Sequence, residues 1–139
     1  MQDPTLEAAY RATDYRVDDA PSGPFVIRIG EECPELAGLE WAFVTACNPG
    51  SVRLPEEENT RRMGELEAAV RKGGGRYHRG HGVGRDGQWS PEPSLLIVGI
   101  READAVELAR RFGQNAIIVG RAGGEARLVW VGGEGRLFP

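Results

Sequence analysis

An α+β fold built on a mainly antiparallel sheet is what the order of hydrophobic patterns in this chain predicts, and three observations carry the prediction. Two segments, Trp41–Cys47 and Leu95–Ile100, are apolar at consecutive positions, as strands buried on both faces must be. Two others, from Pro55 to Gly73 and from Glu102 to Phe112, repeat their apolar residues at helical spacing. Shorter strand patterns recur around Arg76–Arg79, Asn115–Gly120 and Ala126–Val131. From Trp41 the order is strand, helix, strand, strand, helix, strand, strand, and its first six elements match a ferredoxin-like, split β-α-β core. That core has strand order 4-1-3-2, with the two apolar segments at its centre. The last strand is expected beside the fourth, joined by the Ala-Gly-Gly turn at 122–124.

Each element has its own local cause. Asp3 or Thr5 can cap a short N-terminal helix whose Leu6, Ala9, Tyr10 and Thr13 share one face. Phe25, Ile27 and Ile29 alternate with Val26, Arg28 and Gly30, and Tyr15–Val17 can pair with them across the turn at 19–24. In the long helix Pro55 suits the first turn, Glu56–Glu58 complement the positive end of the helix dipole, and Arg71 and Lys72 complement the negative end. Met63, Leu66 and Val70 form its buried stripe, and Asn59, four residues before Met63, lies on that same stripe. The second long helix turns Ala105, Leu108, Ala109 and Phe112 inward and stops at Gly113. Gly80 to Pro93, rich in glycine, reads as a loop between two strands, and no internal repeat is present.

With 139 residues the chain has the length of one domain. Its 40% hydrophobic and 27% charged residues fit a globular protein rather than a disordered or fibrous one. The formal charge of -4 argues against a general nucleic-acid binder. The longest apolar runs, 95–98 and 116–119, fall far short of the roughly 18 residues that cross a bilayer. The start Met1-Gln2-Asp3-Pro4 has no secretory pattern, so a cytoplasmic protein without membrane attachment is expected. Cys33 and Cys47 lack Cys-x-x-Cys spacing and are expected to be reduced.

Function is read from the ends that the topology brings together. Asn48, Ser51, Asn59, Arg62, the 78–86 segment, Glu92, Ser94, Gln114 and Asn115 all fall at one end of the expected sheet, the arrangement of a site carried by loops on a rigid scaffold. Asn48, Asn59, Gln114 and Asn115 each carry a donor and an acceptor, suited to the polar edge of a nucleobase, an amide or a sugar. Inward amides also close off loop and helix-end backbone groups, and that bracing role has equal weight. Ser51 joins the amides, Arg62 or Arg85 can neutralise an anion, and Glu92 is the candidate acid or base. Trp89 can cover such a pocket or simply pack its loop.

Other chemistries are weaker. The Gly80-His-Gly-Val-Gly84 stretch with Arg76, Arg79 and Arg85 suggests a phosphate cradle, but it joins two strands where Walker and Rossmann loops lead directly into a helix. The Asn48–Ser51 turn before a helix is a better anion candidate, although Glu56–Glu58 already occupy that helix end. His78 and His81 lack the helical spacing of zinc motifs, so no metal site is assigned to them. Ser51 or Ser94 with His81 and Glu92 would supply a hydrolase triad, without a Gly-x-Ser-x-Gly elbow to support it.

The segments Trp41-Ala-Phe-Val-Thr-Ala-Cys-Asn-Pro-Gly-Ser51, Glu58-Asn59 with Arg62, Trp89-Ser-Pro-Glu-Pro-Ser94 and Phe112-Gly-Gln-Asn-Ala-Ile117 resemble the bacterial family called domain of unknown function 3293. The likeness runs from about Tyr15 to Val131. Where that family opens its long helix with serine, this chain has Pro55. The resemblance implies no reaction, cofactor or partner. The leading expectation is therefore a small protein that binds a polar small molecule, with nucleotide-like compounds among the candidates and no cofactor assigned. The alternatives are an interaction module that forms a homodimer through a free edge of the second core strand or the N-terminal hairpin, and a hydrolase or metal-dependent enzyme.

Overall fold

A computed structural model describes residues 4–87, 90–121 and 124–131. The chain runs α1 (Pro4–Arg11), β1 (Thr13–Val17), β2 (Phe25–Ile27), β3 (Trp41–Val44), α2 (Glu56–Lys72), β4 (Arg76–Gly84), β5 (Glu92–Val98), α3 (Glu102–Arg111), β6 (Ala116–Gly120) and β7 (Arg127–Trp130). Short 3-10 turns at Pro34–Leu36 and Pro49–Ser51 flank β3. All seven strands join one antiparallel sheet in the order β2-β1-β4-β5-β3-β6-β7.

β3, β5 and β6 are buried on both faces, which is why their sequences lack alternation. On one face Ala42, Val44, Leu95, Ile97, Ile117 and Val119 meet Met63, Leu66 and Val70 of α2 and Ala105, Leu108 and Ala109 of α3. These are the helix stripes expected from spacing. On the other face Trp41, Phe43, Leu96, Val98 and Ile118 pack with Tyr15, Val17 and Ile27 of the hairpin. The sheet curls toward this second face. Gly30 N donates to Ala126 O and Ala126 N to Glu31 O, so the segment after β2 meets the one before β7.

Helix ends follow the sequence signals. Gly113 has φ 71°, and its αL conformation lets Gln114 N reach Ala109 O and close α3. Pro55 is the residue before α2 rather than inside its first turn. Glu56–Glu58 and Arg71–Lys72 sit at the two dipole-matched ends.

Several expectations are corrected. Thr13 belongs to β1 and not to the α1 stripe, because α1 ends at Arg11; Thr13 Oγ1 donates to Ala9 O, 2.7 Å away. Thr5 lies inside α1, whereas Asp3 is outside the described residues. The largest correction concerns Gly80–Gly84. These residues are strand, not loop, because β4 is paired on both sides: Thr13–Val17 of β1 opposite Gly84–Gly80, and Glu92–Val98 of β5 opposite Gly82–Arg76. Ladder hydrogen bonds on both edges override the poor intrinsic strand preference of glycine. In consequence β4 presents no free edge for a partner, and the edge strands are β2 and β7. Residues 122 and 123 of the expected Ala-Gly-Gly turn lie outside the described residues; Gly124 N donates to Arg121 O.

Candidate functional site

The Asn48 turn is the centre of the polar end. Asn48 adopts φ 49°, ψ 60°, an αL conformation that asparagine tolerates better than most side chains. Asn59, half-buried near the start of α2, holds it there: its Oδ1 accepts from Asn48 N (3.0 Å) and its Nδ2 donates to Asn48 Oδ1 (2.9 Å). Asn48 Oδ1 also accepts from Leu54 N, and Asn48 Nδ2 donates to Glu92 Oε2 at 2.8 Å. Gln114 is buried and its Nε2 donates to Cys47 O and Phe112 O. Arg62 reaches across with Nε on Ala46 O (2.6 Å) and Nη2 on Phe112 O. Asn115 Nδ2 donates to Ser51 Oγ at 2.9 Å, joining the two turns at this end.

Asn48, Ser51, Asn59, Arg62, Glu92, Gln114 and Asn115 are thus brought together, as their sequence positions predicted. Asn59, Arg62 and Asn115 use the hydrogen bonds above to brace backbone and neighbouring side chains. Arg85 follows β4 at this end of the sheet, but its side chain turns to Asp14. Its Nη1 donates to Asp14 Oδ1 (2.7 Å) and its Nη2 to Arg11 O, while Arg28 Nε donates to the same Asp14 oxygen at 2.9 Å. Those two guanidinium groups hold the Asp14 carboxyl below the usual carboxylate range.

Beneath α1, against the concave face of the sheet, lies a cavity of about 580 Å³. Leu6, Ala9 and Tyr10 of α1 roof it, Tyr15, Phe43 and Ile118 form an apolar floor, and Thr45, Asn48, Ser51, Glu92, Ser94 and Gln114 supply the polar wall. None of the described α1 residues is buried. β4 contributes to the opening. Gly82 faces Tyr15 on one side and Glu92 on the other, so a row of side chains across the sheet is interrupted by a residue with none. A Cβ added at Gly82 would meet Thr13 Cγ2 at 3.7 Å and Tyr15 Cδ1 at 3.9 Å, ordinary contacts, so neither strain nor crowding requires glycine there. Gly80 on the same face differs: its Cβ would lie 2.0 Å from Arg16 O.

Glu92 is the half-buried carboxyl of this wall. Removal from water raises its pKa above the ordinary glutamate value, and the hydrogen bond from Asn48 opposes that only in part. Among the described residues no arginine, lysine or histidine lies within ion-pair distance of it. Its charge is felt by Tyr10, Tyr15 and Cys47. Burial, with Glu92 adding to it, pushes Tyr10 up to about 12, and Ser51 and the Ala116 backbone offset this only in part. Burial likewise pushes the Cys47 thiol up to about 11, which makes it a poor nucleophile near neutral pH.

Three chemistries considered from sequence are not assembled. His78 and His81 are on β4 rather than in a loop, three residues apart and so on opposite faces of the sheet. His81 Nδ1 lies 2.7 Å from Asp18 Oδ2, and His78 Nδ1 lies 3.9 Å from Asp19 Oδ1. Among the described residues no group of three His, Cys, Asp or Glu side chains is placed to hold a metal ion. The triad fails for the same geometric reason: His81 is on the face opposite Glu92 and Ser94, and Ser94 Oγ donates to Glu92 O. The glycine-rich stretch, being strand, does not form a phosphate cradle. Trp89 lies outside the described residues.

Sequence reasoning missed Tyr10, Tyr15, Thr45 and Gly82 as cavity residues. One signal was present. Glycines at 80, 82 and 84 recur with the period of a strand, which marks one bare face rather than a flexible loop.

The family model for proteins of unknown function called DUF3293 matches residues 44–117. The chain belongs to the DUF3293 family. The match takes in the Asn48 turn, α2, β4, β5, α3 and Gln114, so most of the polar wall of the cavity falls within the DUF3293 region, whereas α1 and β1 precede it. The match is narrower than the span over which the resemblance was read. No curated protein and no solved structure matches the chain. Among the described residues no helix is long and apolar enough to cross a membrane.

Proposed function

We propose that this protein binds a small molecule in the cavity between α1 and the concave face of the sheet. The observation that carries the reading is Gly82: it leaves a gap between Tyr15 and Glu92 although its conformation and surroundings would accept a Cβ. Pockets of this size, apolar at the floor with a few convergent polar groups, are the usual form of small-molecule sites. Glu92, Asn48, Ser51 and Gln114 face the ligand in this reading. Asn59, Arg62 and Asn115 act as positioning residues, and Glu92 is the acid or base if a reaction takes place. The order β6-β3-β5-β4 supports reading residues 41–120 as a split β-α-β core to which the N-terminal helix and hairpin add the cavity's roof and one side. We take the chain as one folding unit, and the free thiols of Cys33 and Cys47 fit a reducing cytoplasmic setting.

Thermal unfolding against nucleotides, sugars, amino acids, amines and divalent metals tests the reading. A ligand at about 100 times its dissociation constant adds about 2.7 kcal/mol, which raises Tm by several degrees in a domain of this size. Gly82→Ile, which fills the gap, is expected to abolish that shift while leaving its own Tm equal to the wild type or higher. A shift that survives in Gly82→Ile would show that the ligand binds elsewhere. Mass that rises with concentration, with no ligand response, would favour the homodimer instead.

A further inference from the structure

The cavity wall is unbalanced in hydrogen-bonding character. Thr45 Oγ1 donates to Pro93 O (2.7 Å), Ser94 Oγ to Glu92 O (3.0 Å) and Tyr15 Oη to Tyr10 O (2.7 Å). Each of these hydroxyls has therefore committed its proton to the protein and has only lone pairs left to offer. Gln114 has given Nε2 to Cys47 O and Phe112 O, which leaves its amide oxygen. Asn48 has given Nδ2 to Glu92. Among the described lining residues there is no arginine, lysine or histidine, while two acids, Glu92 and Asp86, line the cavity, and the one described side-chain donor to the Glu92 carboxylate is a neutral amide. The wall is thus rich in acceptors and carries negative charge. The floor of Tyr15 and Phe43, whose rings meet edge to face at 5.4 Å, offers apolar and π surface to whatever sits above it.

We propose that the cavity takes an organic ammonium ion with an apolar body, its nitrogen directed at Glu92 and its body over Tyr15 and Phe43 in the space left by Gly82. The proposal rests on the binding reading above and gives it a ligand class, one different from the nucleotide-like compounds considered from sequence. A phosphate would face Glu92 with no cation in the described lining to offset the repulsion. An ammonium ion supplies the three donors and the positive charge that the wall lacks. Tyr10, Tyr15 and Cys47, the titratable groups around Glu92, stay neutral near pH 7, with Tyr10 pushed up to about 12 and Cys47 to about 11.

The test is calorimetric titration of the whole protein at neutral pH with phenethylamine, its neutral analogue phenethyl alcohol, phenylacetate and adenosine monophosphate. The expected result is that the amine binds about tenfold more tightly than the alcohol, the margin of one charge-assisted hydrogen bond, while the two anions do not bind. Glu92→Gln is expected to bring amine and alcohol to equal affinity, and Gly82→Ile to remove binding of both. The comparison of amine with alcohol in the wild type needs no variant, so a fold defect in Glu92→Gln would not obscure it. If the alcohol or an anion binds more tightly than the amine, and Gly82→Ile blocks it, the ammonium assignment is overturned while the cavity reading stands. If none of the four binds, or if Gly82→Ile leaves amine binding intact, both are overturned.

Discussion

The two faces of the sheet are closed in different ways. On one, α2 and α3 each bury three side chains, which pack against Ala42, Val44, Leu95, Ile97, Ile117 and Val119. On the other, α1 buries none of its described residues and stands over about 580 Å³ of space. The same three central strands serve both faces, so strand composition does not cause the difference. It lies in what each neighbour contributes: two long amphipathic helices on one side, and on the other a two-turn helix together with a strand that has glycine at three successive inward positions, 80, 82 and 84. The closed face supplies stability, and the open face supplies room. This is the usual division when a rigid scaffold carries a site.

The sharpest way to break the comparison is to truncate matched leucines. Leu66→Ala, at a fully buried position of α2, is expected to cost about 2–5 kcal/mol in denaturant unfolding, as deletions in a packed core do. Leu6→Ala on α1 should cost under about 1 kcal/mol and act on ligand affinity instead. Equal losses at the two sites would show that α1 is a core helix and that the faces are alike.

A smaller effect is expected at the junction between α1 and the sheet. Asp14→Asn removes the carboxylate that Arg28 and Arg85 share and should cost about 1.5–3 kcal/mol near neutral pH, the range for hydrogen bonds to charged groups. The Asp14 pKa is lowered in the folded state, so its contribution is present above the unfolded value of 3.8 and is lost as pH falls through the depressed folded value. Wild type and Asp14→Asn should therefore converge in stability in acid, as urea midpoints measured down a pH series will show.

The smallest effect has the opposite sign. Glu92 has a raised pKa when folded, so its contribution is complete below the ordinary value of 4.5 and is lost as pH rises through the raised folded value. Glu92→Gln should therefore be as stable as wild type in acid and more stable at neutral pH. A variant that is less stable at neutral pH would mean that the charged carboxylate holds the Asn48 turn together rather than waiting for a ligand.

Much of the closed face was legible in the residues. Met63, Leu66 and Val70 on α2, and Ala105, Leu108 and Ala109 on α3, declare their burial by spacing alone, and the two uninterrupted apolar strands declare their central place. The convergence of Asn48, Asn59, Glu92 and Gln114 was legible too, because element order fixes which loops share an end of the sheet. The open face was not. Gly80–Gly84 reads as loop by composition, and only pairing with β1 and β5 makes it strand. Arg85 follows it directly, and the register of β1 with β4, which the sequence does not give, delivers its side chain to Asp14.

The sequence by itself determined the alternation of helices and strands, the buried stripes, the central strands and the end at which the polar side chains collect. All of these depend on local periodicity and chain direction. Only the tertiary structure decided that the amides of Asn59 and Gln114 would brace a turn, that His78 and His81 would part to opposite faces, and that Gly82 would leave an opening between Tyr15 and Glu92. Those outcomes depend on register between strands far apart in the chain, where a shift of one residue turns a side chain from one face of the sheet to the other.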